Sequence, residues 1–499
     1  MFRKLLVANR GEIALRVIRT ARSLGVRSVA VFSEADADAP HVWLADEAVR
    51  IGPATPAESY LHAEAILAAA RRTGAEAVHP GYGFLSENPA FAGAVEAAGL
   101  VFVGPSADTL EAVGDKTAAR ARMARAGVPV VPGSDGPVEG ASEALRVADE
   151  VGWPVLLKPA GGGGGKGMRL VGDARALERE LAAAAREAEK AFGDPRVYVE
   201  RHLGRVRHVE VQILGTSDGV RTLGERECSL QRRHQKLVEE SPSPAVGPEL
   251  RVRLLDAALR AAGAVGYRNA GTVEFLLDER EGLHFIEVNA RLQVEHPVTE
   301  MVTGLDLVEA QLRIAAGETL APAYACPEPE GWAIECRLCA EDPARDFLPA
   351  TGTVRRLRLP GGPGVRWDGG VVEGTRVTPH YDSLLGKVIT RGHDGSDALG
   401  RMAAALAELR IEGVTTNLGF LRRLLEDDVF RRGALHTGFV AERRGALNAQ
   451  EPADRERLAA AAVLELERRA SAAAPAANGE SPSRPSAWRA ERRPFVWMG

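Results

Sequence analysis

Carboxylate and amide side chains are concentrated in residues 271–300, GTVEFLLDEREGLHFIEVNARLQVEHPVTE. TVEFLL and HFIEVN are typical of two antiparallel strands joined by a polar turn, and pairing of Leu277 with His284 would bring two glutamates directly opposite each other. These are Glu274 and Glu287. Like charges in that position destabilise a sheet, whereas a divalent cation between them reverses the sign. Because oxygen ligands of this kind suit Mg²⁺ or Mn²⁺, the pair predicts a metal site.

Polar residues alternate with apolar ones along the predicted continuation of the second strand. One face carries Glu287, Asn289, Arg291, Gln293 and Glu295. A solvent-exposed outer face is one interpretation of such alternation. Against it, the face lacks Lys, Ser and Thr and combines two amides, an Arg and carboxylates. Arg291, followed on the same face by Glu295, has the groups needed to hold a small oxyanion and remove its proton.

Five consecutive glycines lie between two short apolar runs in residues 155–171, VLLKPAGGGGGKGMRLV. A flexible linker is one interpretation. The flanking strand-like runs favour a hairpin tip whose backbone N–H groups cover nucleotide phosphates, because glycine lets the backbone approach anionic oxygens. Walker A fails at Ala160 and Gly167, and a strand rather than a helix follows the loop. Lys158, on the entering strand, would point at the same phosphates.

Cysteine and basic residues form a third group, the segment 228–236 with the sequence CSLQRRHQK. A basic surface segment is one interpretation, and the glutamates around it argue against a nucleic-acid patch. Cys228 has no identifiable base beside it that would make it a nucleophile. Cys336 and Cys339 form a lone C-x-x-C, for which buried cysteines are a better interpretation than zinc ligands.

The composition is that of a globular protein with several domains, since 499 residues exceed a single core. A net charge of −5 gives no basic footprint for nucleic acid. No apolar run approaches the roughly 20 residues that span a bilayer, and the N-terminus is charged from its third residue, unlike a signal peptide. Four cysteines suit a reducing cytosol. We therefore expect a cytoplasmic protein with no nucleic-acid or membrane partner.

The elements that must position these residues fall into four regions. Residues 1–113 alternate strand and helix patterns (LLVAN, GEIALRVIRTARSLG, SVAVFS, AEAVHP, LVFVGP), which predicts a Rossmann-like, doubly wound α/β sheet without the G-x-G-x-x-G of an NAD site. Residues 114–317 hold the glycine loop and the polar motifs. Residues 330–445 combine strands (AIECRLCAE, TVRRLRL, GKVITRG) with two helices in an α+β pattern. The composition of residues 446–499 predicts a disordered tail apart from a helix over Asp454–Arg469.

Seven motifs in unbroken order resemble the biotin carboxylase family of ATP-grasp enzymes. They are ANRGEIALRVIR, HPGYGFLSENP, GDKTAAR, GGGGGKGM, QRRHQK, FIEVNARLQVEHPVTE and AIECRLCAEDP. The resemblance runs from residue 1 to about 445. It implies a Rossmann-like pre-ATP-grasp domain, an ATP-grasp domain with a mobile glycine-rich lid over about 130–203, and a C-terminal α+β domain. It also implies a homodimer that uses ATP, Mg²⁺ (or Mn²⁺) and bicarbonate to carboxylate biotin on a biotin carboxyl carrier protein, and a further partner in the form of a carboxyltransferase subunit.

Residue roles follow from the same resemblance. The implied ATP site comprises Lys116, Lys158, Gly161, Gly162, Gly163, Gly164, Gly165, Met168, Glu200, Leu203, His208, Gln231, His234, Glu274 and Glu287. The implied metal ligands are Glu274, Glu287 and Asn289. The implied bicarbonate site comprises Lys236, Arg291, Gln293 and the backbone of Val294. Glu295 resembles the general base, and Arg337 resembles the residue that stabilises the biotin enolate.

The implied reaction has two stages. Glu295 deprotonates bicarbonate, which attacks the γ-phosphate of ATP to give carboxyphosphate. Carboxyphosphate breaks into CO₂ and phosphate, phosphate takes the N1′ proton of biotin, and CO₂ adds to the enolate. Acetyl-CoA carboxylase of fatty acid synthesis is the favoured overall enzyme, and Lys166 in GGGGKGM keeps propionyl-CoA, methylcrotonyl-CoA and pyruvate carboxylases as the alternative.

Two further functions remain as alternatives. Another ATP-grasp ligase would make an acyl phosphate for a different acceptor. A nucleotide-binding scaffold would have lost catalysis, and the presence of all five implied catalytic and metal-binding positions argues against it. Those positions are Glu274, Glu287, Arg291, Glu295 and Arg337.

Overall fold

The computed structural model describes residues 1–161, 167–233, 235–280, 282–324, 328–448 and 460–469. The chain divides into two units, Met1–Leu447 and Asn448–Gly499. Within the second unit, residues 460–469 are helical, which agrees with the later part of the predicted helix. The rest of the predicted disordered tail lies almost entirely outside the described residues. Among the helices that the structure describes, none has the length and apolar character needed to cross a bilayer.

The first region forms a five-stranded parallel sheet flanked by helices. Its elements are β1 (Lys4–Val7), α1 (Gly11–Ser23), β2 (Arg27–Ser33), α2 (Pro40–Leu44), β3 (Glu47–Gly52), α3 (Ala63–Thr73), β4 (Ala77–His79), α4 (Pro89–Ala97), β5 (Val101–Phe102) and α5 (Ala107–Gly114). The strand order is β3-β2-β1-β4-β5, and every pairing is parallel. The predicted doubly wound sheet is therefore confirmed, with β3 as a strand that the sequence patterns had not indicated.

A small antiparallel sheet carries the glycine loop. The elements of this part are α6 (Lys116–Arg125), α7 (Ala141–Val151), β6 (Val155–Pro159), β7 (Arg169–Val171), α8 (Ala174–Phe192) and β8 (Val197–Arg201). Val155 pairs with Val171 and Leu157 with Arg169, so the two strands that flank the glycine run in the sequence form a hairpin, as predicted. The order β7-β6-β8 gives this part its own buried core between the sheet and α7 and α8.

Long antiparallel strands make up the rest of the middle region. They and their helices are β9 (Val206–Thr216), β10 (Gly219–Arg232), β11 (Gln235–Ser241), α9 (Pro248–Ala264), β12 (Asn269–Asp278), β13 (Leu283–Asn289), α10 (His296–Thr303) and α11 (Leu307–Ala315). One buried cluster contains Leu6 and Phe91 of the first region together with Val211 and Phe275 of β9 and β12. The first and middle regions therefore share a core.

The third region mixes short strands with helices. Its elements are β14 (Trp332–Cys339), β15 (Glu341–Asp342), β16 (Leu348–Pro349), β17 (Gly352–Thr353), β18 (Arg356–Arg358), β19 (Val365–Gly369), β20 (Arg376–Val377), β21 (Leu384–Gly392), α12 (Gly395–Glu408), β22 (Arg410–Glu412), α13 (Leu418–Glu426), α14 (Asp428–Arg431) and α15 (Phe439–Asn448). The α+β character is confirmed, although the described residues contain four helices where the sequence patterns predicted two.

One eight-stranded sheet crosses the boundary between the middle and third regions. Its order is β13-β12-β9-β10-β11-β14-β21-β19. The junction is the antiparallel pairing of β11 with β14, in which Glu239 lies opposite Glu335. Side chains that are far apart in sequence therefore point from neighbouring strands into the same interior, beneath α10.

Candidate active site

Two cavities meet at the glutamates of the β12–β13 hairpin. A cavity of about 480 Å³ is lined by Lys116, Lys158, Gly161, Met168, Glu200, Leu203, His208, Gln231, Glu274 and Glu287, among others. A second cavity of about 700 Å³ is lined by Tyr82, Glu87, Lys236, Glu274, Glu287, Asn289, Arg291, Gln293, Val294 and Arg337, among others. Glu274 and Glu287 line both. The implied nucleotide residues that the structure describes thus lie on one side of these glutamates, and the implied bicarbonate and biotin residues lie on the other.

Glu274 is paired with Glu287 across the β12–β13 ladder, as predicted, but the register that was assumed is wrong. Leu277 pairs with Leu283 rather than with His284, and the register shifts between Glu274 and Phe275. Ile286 is the extra residue of this bulge, since Phe275 pairs with Phe285 and Glu274 with Glu287. A bulge inserts one residue and re-aims the side chains beyond it.

The strand does not continue through the polar alternation, which corrects a second prediction. β13 ends at Asn289, and residues 290–295 form a loop that leads into α10. Arg291, Gln293 and Glu295 nevertheless enter the site, because the loop folds back over the sheet. The interpretation of this stretch as a solvent-exposed face is also wrong, since Gln293 and Glu295 are buried.

Two lysines of the smaller cavity are already paired with carboxylates. Lys116 Nζ lies 2.7 Å from Glu287 Oε2, and Lys158 Nζ lies 2.5 Å from Glu200 Oε2. Burial lowers the pKa of Lys116, but the carboxylate of Glu287 outweighs this and the pKa is raised overall. The ammonium group of Lys116 is therefore cationic, and both lysines face the space where the polyanionic part of a nucleotide would lie.

His208 and Gln231 sit together at the junction of the cavities. The side chain of Gln231 lies 2.6 Å from His208 Nδ1, and His208 Nε2 lies 3.0 Å from Glu274 Oε2. These contacts connect His208 directly to Glu274 and Gln231 to the same glutamate through His208. The implied residues Gly162, Gly163, Gly164, Gly165 and His234 lie outside the described residues.

A single ammonium group at the wall of the larger cavity holds three carboxylates. Lys236 Nζ donates to Glu210 Oε2 and Glu295 Oε1, both at 2.6 Å, and to Glu274 Oε1 at 2.9 Å. Three ligand-type side chains converge in the groups His208–Glu210–Glu274 and Glu210–Cys228–Glu295, but Lys236 already supplies the positive charge to their carboxylates. These two groups are accordingly lysine-centred clusters.

Glu295 is completely buried between two cations. Its Oε1 accepts from Lys236, and its Oε2 accepts from Arg337 at 2.9 Å. Burial raises the pKa of a carboxyl group, yet Lys236, Arg337 and Arg226 outweigh it and hold the pKa of Glu295 well below its usual range. Glu295 is therefore a carboxylate at neutral pH, the form that accepts a proton.

Arg291 is held in a planar arrangement at the cavity wall. Its Nε donates to Glu87 Oε2 at 2.9 Å, and its terminal nitrogens donate to Gln293 Oε1 at 2.9 Å and Asn289 Oδ1 at 3.0 Å. Gln293 in turn donates to Glu274 Oε1 at 3.2 Å. The loop thus fixes its own guanidinium group, the geometry that suits a planar oxyanion such as bicarbonate.

The implied metal ligands have the right chemistry for Mg²⁺ or Mn²⁺. Glu274 and Glu287 face the junction of the cavities with hard oxygen donors. Asn289 also lines the larger cavity, and its buried Nδ2 has no hydrogen-bond partner in the part of the chain that the structure describes. Exchanging the oxygen and nitrogen of this amide would place its N–H donors opposite the donors of Arg291, so the assigned orientation is the favourable one. Oδ1 is therefore the Asn289 atom that would bind a metal. The donor set therefore fits a hard divalent cation.

Cys228 is a buried thiol rather than a nucleophile. Its Sγ donates towards Glu295 Oε1 over 3.9 Å, and burial together with Glu210 holds its pKa well above the usual range. The segment from Cys228 to Gln231 lies buried in β10, so its interpretation as a basic surface segment is wrong there. Cys336 and Cys339 are buried free cysteines, as expected.

Several charged residues of the site were missed by the sequence analysis. They are Glu87, Glu210, Arg226, Glu239 and Lys387, and the strand residues among them are completely buried. A signal existed for Glu210, because it interrupts the apolar positions of VRHVEVQIL in a strand that is otherwise buried on both faces. Arg226 donates to Glu210 at 2.5 Å, and Arg337 Nε donates to Glu239 at 2.6 Å. These contacts orient the residues that face the cavity.

Three family models cover most of the chain. They are described as "Biotin carboxylase, N-terminal domain" over residues 1–110, "Carbamoyl-phosphate synthase L chain, ATP binding domain" over residues 115–323, and "Biotin carboxylase C-terminal domain" over residues 335–442. These matches agree with the three-part architecture described above.

Individual relatives are similar over nearly their whole length. The chain is 50% identical to "Biotin carboxylase 1" of Bacillus subtilis over 88% of this chain and 98% of that protein. It is 49% identical to a pyruvate carboxylase subunit of Methanothermobacter thermautotrophicus over 90% of this chain and 92% of that protein. Among solved structures, the biotin carboxylase domain dimer of Hydrogenobacter thermophilus 2-oxoglutarate carboxylase, in complex with MgADP, ADP and bicarbonate, gives a TM-score of 0.87 at 46% identity, over 90% of this chain and all of that chain.

Proposed function

The chain belongs to the biotin carboxylase family of ATP-dependent ligases, and we propose that its two joined cavities carry the two stages of biotin carboxylation. The smaller cavity takes ATP, whose phosphates lie against Lys116 and Lys158. Glu274, Glu287 and Asn289 would hold Mg²⁺, which would supply positive charge to the transferring phosphoryl group. The larger cavity takes bicarbonate and then the ureido ring of biotin.

The observation that carries this proposal is the burial of ionised Glu295 between Lys236 and Arg337. Bicarbonate held by Arg291, Gln293 and the backbone of Val294 would place its hydroxyl proton beside this carboxylate. Proton transfer to Glu295 makes bicarbonate a dianionic nucleophile towards the γ-phosphate. Arg337, at the same carboxylate, is then available to stabilise the enolate of biotin.

A lid closing over the ATP cavity would keep water from the carboxyphosphate intermediate. We assign this movement to the segment of about residues 130–203, which includes strands β6 and β7. Domain limits of 1–113, 114–317 and 330–445 follow from the same assignment. We also propose a homodimer in the cytoplasm that works with a biotin carboxyl carrier protein and a carboxyltransferase subunit.

Acetyl-CoA is the acceptor that we propose for the overall enzyme, which would place the chain in fatty acid synthesis. The Bacillus subtilis relative is named only as a biotin carboxylase, so its similarity supports the carboxylation of biotin and leaves the acceptor to the test below. The similarity to the pyruvate carboxylase subunit is almost equal, so propionyl-CoA, methylcrotonyl-CoA and pyruvate carboxylases are the second candidate. To distinguish the candidate enzymes, carboxybiotin formed by this chain would be supplied to carboxyltransferase subunits of each type. The acyl-CoA or pyruvate that becomes carboxylated would identify the acceptor.

ATP turnover with Mg²⁺ and bicarbonate, with and without free biotin, tests the first stage and its link to the second. We expect ADP release that needs bicarbonate, rises with biotin and disappears in Glu295→Gln. Glu249→Gln, at the exposed start of α9, is the matched control and should behave like the unmodified protein. Turnover indifferent to biotin would favour another ATP-grasp ligase, and tight ATP binding without turnover would favour a scaffold.

A further inference from the structure

Lys387 is a completely buried cation whose contacts lie just behind the wall of the larger cavity. It sits on β21, and its Nζ donates to the backbone oxygen of Val294 at 2.6 Å. The same nitrogen lies 3.1 Å from Glu12 Oε1. A buried lysine is costly unless it is paired and hydrogen-bonded, so both contacts hold it firmly in place.

The carbonyl that Lys387 binds belongs to the peptide that enters Glu295. Val294 C=O and Glu295 N–H share one plane, because the peptide bond is planar. Fixing that oxygen therefore fixes the backbone from which the Glu295 side chain projects. Since residues 290–295 form a loop rather than a strand, this peptide lacks the support of a β-ladder.

Two cations on neighbouring strands hold the segment Val294–Glu295 at two points. Arg337 of β14 lies directly opposite Lys387 of β21, and it binds the carboxylate of Glu295 at 2.9 Å. Like charges at opposed positions destabilise a sheet, and here carboxylates compensate them, with Glu239 at Arg337 and Glu12 at Lys387. Both cations also contact the segment Val294–Glu295, one at a backbone oxygen and the other at a side chain.

Lys387 also connects the first region to the loop. The hydroxyl group of Tyr82 donates to Glu12 Oε1, the oxygen that faces Lys387, and Tyr82 lines the larger cavity. The third region approaches α1 so closely that a Cβ on Gly370 would lie 2.5 Å from Glu12 N. Tyr82, Glu12, Lys387 and Val294 therefore form a chain of contacts that starts and ends at the wall of the same cavity.

Charges around Lys387 keep it protonated. Burial lowers its pKa, but Glu12, Glu335 and Asp368 outweigh both burial and the opposing charge of Arg366, and they raise the pKa above its usual value. Nearby His296 adds no positive charge, because burial and Lys387 itself hold the pKa of that imidazole well below its usual range. Lys387 therefore remains an ammonium donor throughout the neutral range.

We propose that Lys387, held by Glu12, is a positioning residue for the reaction, because it fixes the peptide between Val294 and Glu295. The expected loss of activity rests on the proposed function. The positioning of the peptide by Lys387 is a property of the folded protein and does not depend on that function. Loss of the contact between Lys387 and the Val294 oxygen should allow the side chain of Glu295 and the backbone N–H of Val294 to shift. A displacement on the order of 1 Å at a reacting group lowers rates by about a hundredfold.

Lys387→Met tests the inference with two independent readouts. In bicarbonate-dependent ATP turnover we expect kcat/KM for bicarbonate to fall by about a hundredfold, while KM for ATP stays within about twofold. In hydrogen–deuterium exchange of the full chain without ligands, we expect faster uptake in peptides that cover residues 290–298. Glu12→Gln should change both readouts in the same direction as Lys387→Met but to a smaller extent. The introduced amide removes the negative charge of Glu12 but still offers Lys387 a hydrogen-bond acceptor.

Arg251→Met is the matched control. Arg251 binds the buried carboxylate of Glu225 at 2.7 Å, so its loss also leaves a buried carboxylate without its cation, away from the cavities. Normal bicarbonate kinetics and normal exchange over 290–298 in folded Lys387→Met would overturn the inference. If that variant does not fold, Glu12→Gln decides by the same criteria. If the unmodified protein shows no bicarbonate-dependent turnover, the proposed function fails, and the exchange readout alone decides whether Lys387 positions the loop.

Discussion

Lys236 Nζ lies 2.6 Å from Glu295 Oε1 and, on its other sides, within 2.9 Å of Glu210 and Glu274. One ammonium group therefore compensates three carboxylates that come from β9, β12 and the loop before α10. Glu274 lines both cavities, whereas Glu295 is completely buried behind Lys236 and Arg337, which line the cavity assigned to bicarbonate. Lys236 thus connects the two cavities electrostatically.

Replacing Lys236 by Met should move the protonation of Glu295 to higher pH. The pKa of Glu295 is held well below its usual range chiefly by Lys236, so loss of that cation raises it. A base must be unprotonated to act, and the acid limb of kcat/KM for bicarbonate should therefore shift upward. The measurement is the pH profile of ATP turnover without biotin, with Arg391→Met on the outer part of β21 as control. An unchanged acid limb would remove Glu295 from the role of base.

Replacing Glu287 by Gln should weaken the use of Mg²⁺ more than the binding of nucleotide. Glu287 and Glu274 are opposed like charges that Lys116 and Lys236 contact in the structure, and a shared divalent cation is the further partner expected for them. We expect the Mg²⁺ concentration for half-maximal turnover to rise by about tenfold or more, by analogy with the loss of groups that support a metal site. Glu279→Gln, in the exposed turn of the same hairpin, is the control. Equal Mg²⁺ dependence in both variants would contradict the assigned ligands.

The sequence patterns predicted the β12–β13 hairpin because its two strands and the turn between them are consecutive in the sequence. Alternation with period two predicts which residues share a face, whereas the pairing of Glu274 with Glu287 was predicted from an assumed register and arises in the structure only through the bulge. It did not reveal the bulge at Ile286, because an inserted residue leaves the composition of both strands unchanged. The same pattern brought Arg291 and Glu295 into the site for the wrong reason, since they lie on a loop rather than on a strand.

Contacts between distant strands were not predictable from the sequence patterns. Glu210 and Lys387 reach the site only because β9 and β21 occupy particular places in the eight-stranded sheet. Sheet order depends on long-range pairing, which hydrophobic periodicity does not encode. Both residues are buried charges, so the reason for their burial becomes visible only when their partners are known.

Replacing Arg226 by Met should destabilise the fold strongly. Arg226 is completely buried and donates to Glu210 at 2.5 Å, Gln212 at 2.7 Å, Thr299 at 2.9 Å and Thr272 at 3.1 Å. Removing one partner of a buried ion pair costs about 3–5 kcal/mol, because the remaining charge is left without compensation. We expect unfolding at a lower urea concentration. Arg221→Met, further out on the same strand, should shift the transition much less, and equal shifts would contradict the prediction.

Replacing Glu240 by Gln should flatten the pH dependence of stability above pH 5. Glu240 lies opposite Glu227 across β10 and β11 and accepts from Trp332 Nε1 at 2.8 Å. Burial and the charge of Glu227 raise its pKa from 4.5 to about 8, although Trp332 and Arg207 act in the opposite direction. Between these two values the folded protein binds a proton that the unfolded chain has released, so stability falls as the pH rises.

The comparison is the change in thermal midpoint between pH 5.5 and pH 8.5 for both proteins. The unmodified protein should lose more stability over this interval than Glu240→Gln, because the introduced amide keeps an oxygen for Trp332 and has no proton to lose. Part of the slope should persist in the variant, since burial also raises the pKa of Glu239 to about 7. Glu249→Gln should reproduce the unmodified slope. Identical slopes in all three proteins would show that Glu240 does not titrate within this interval.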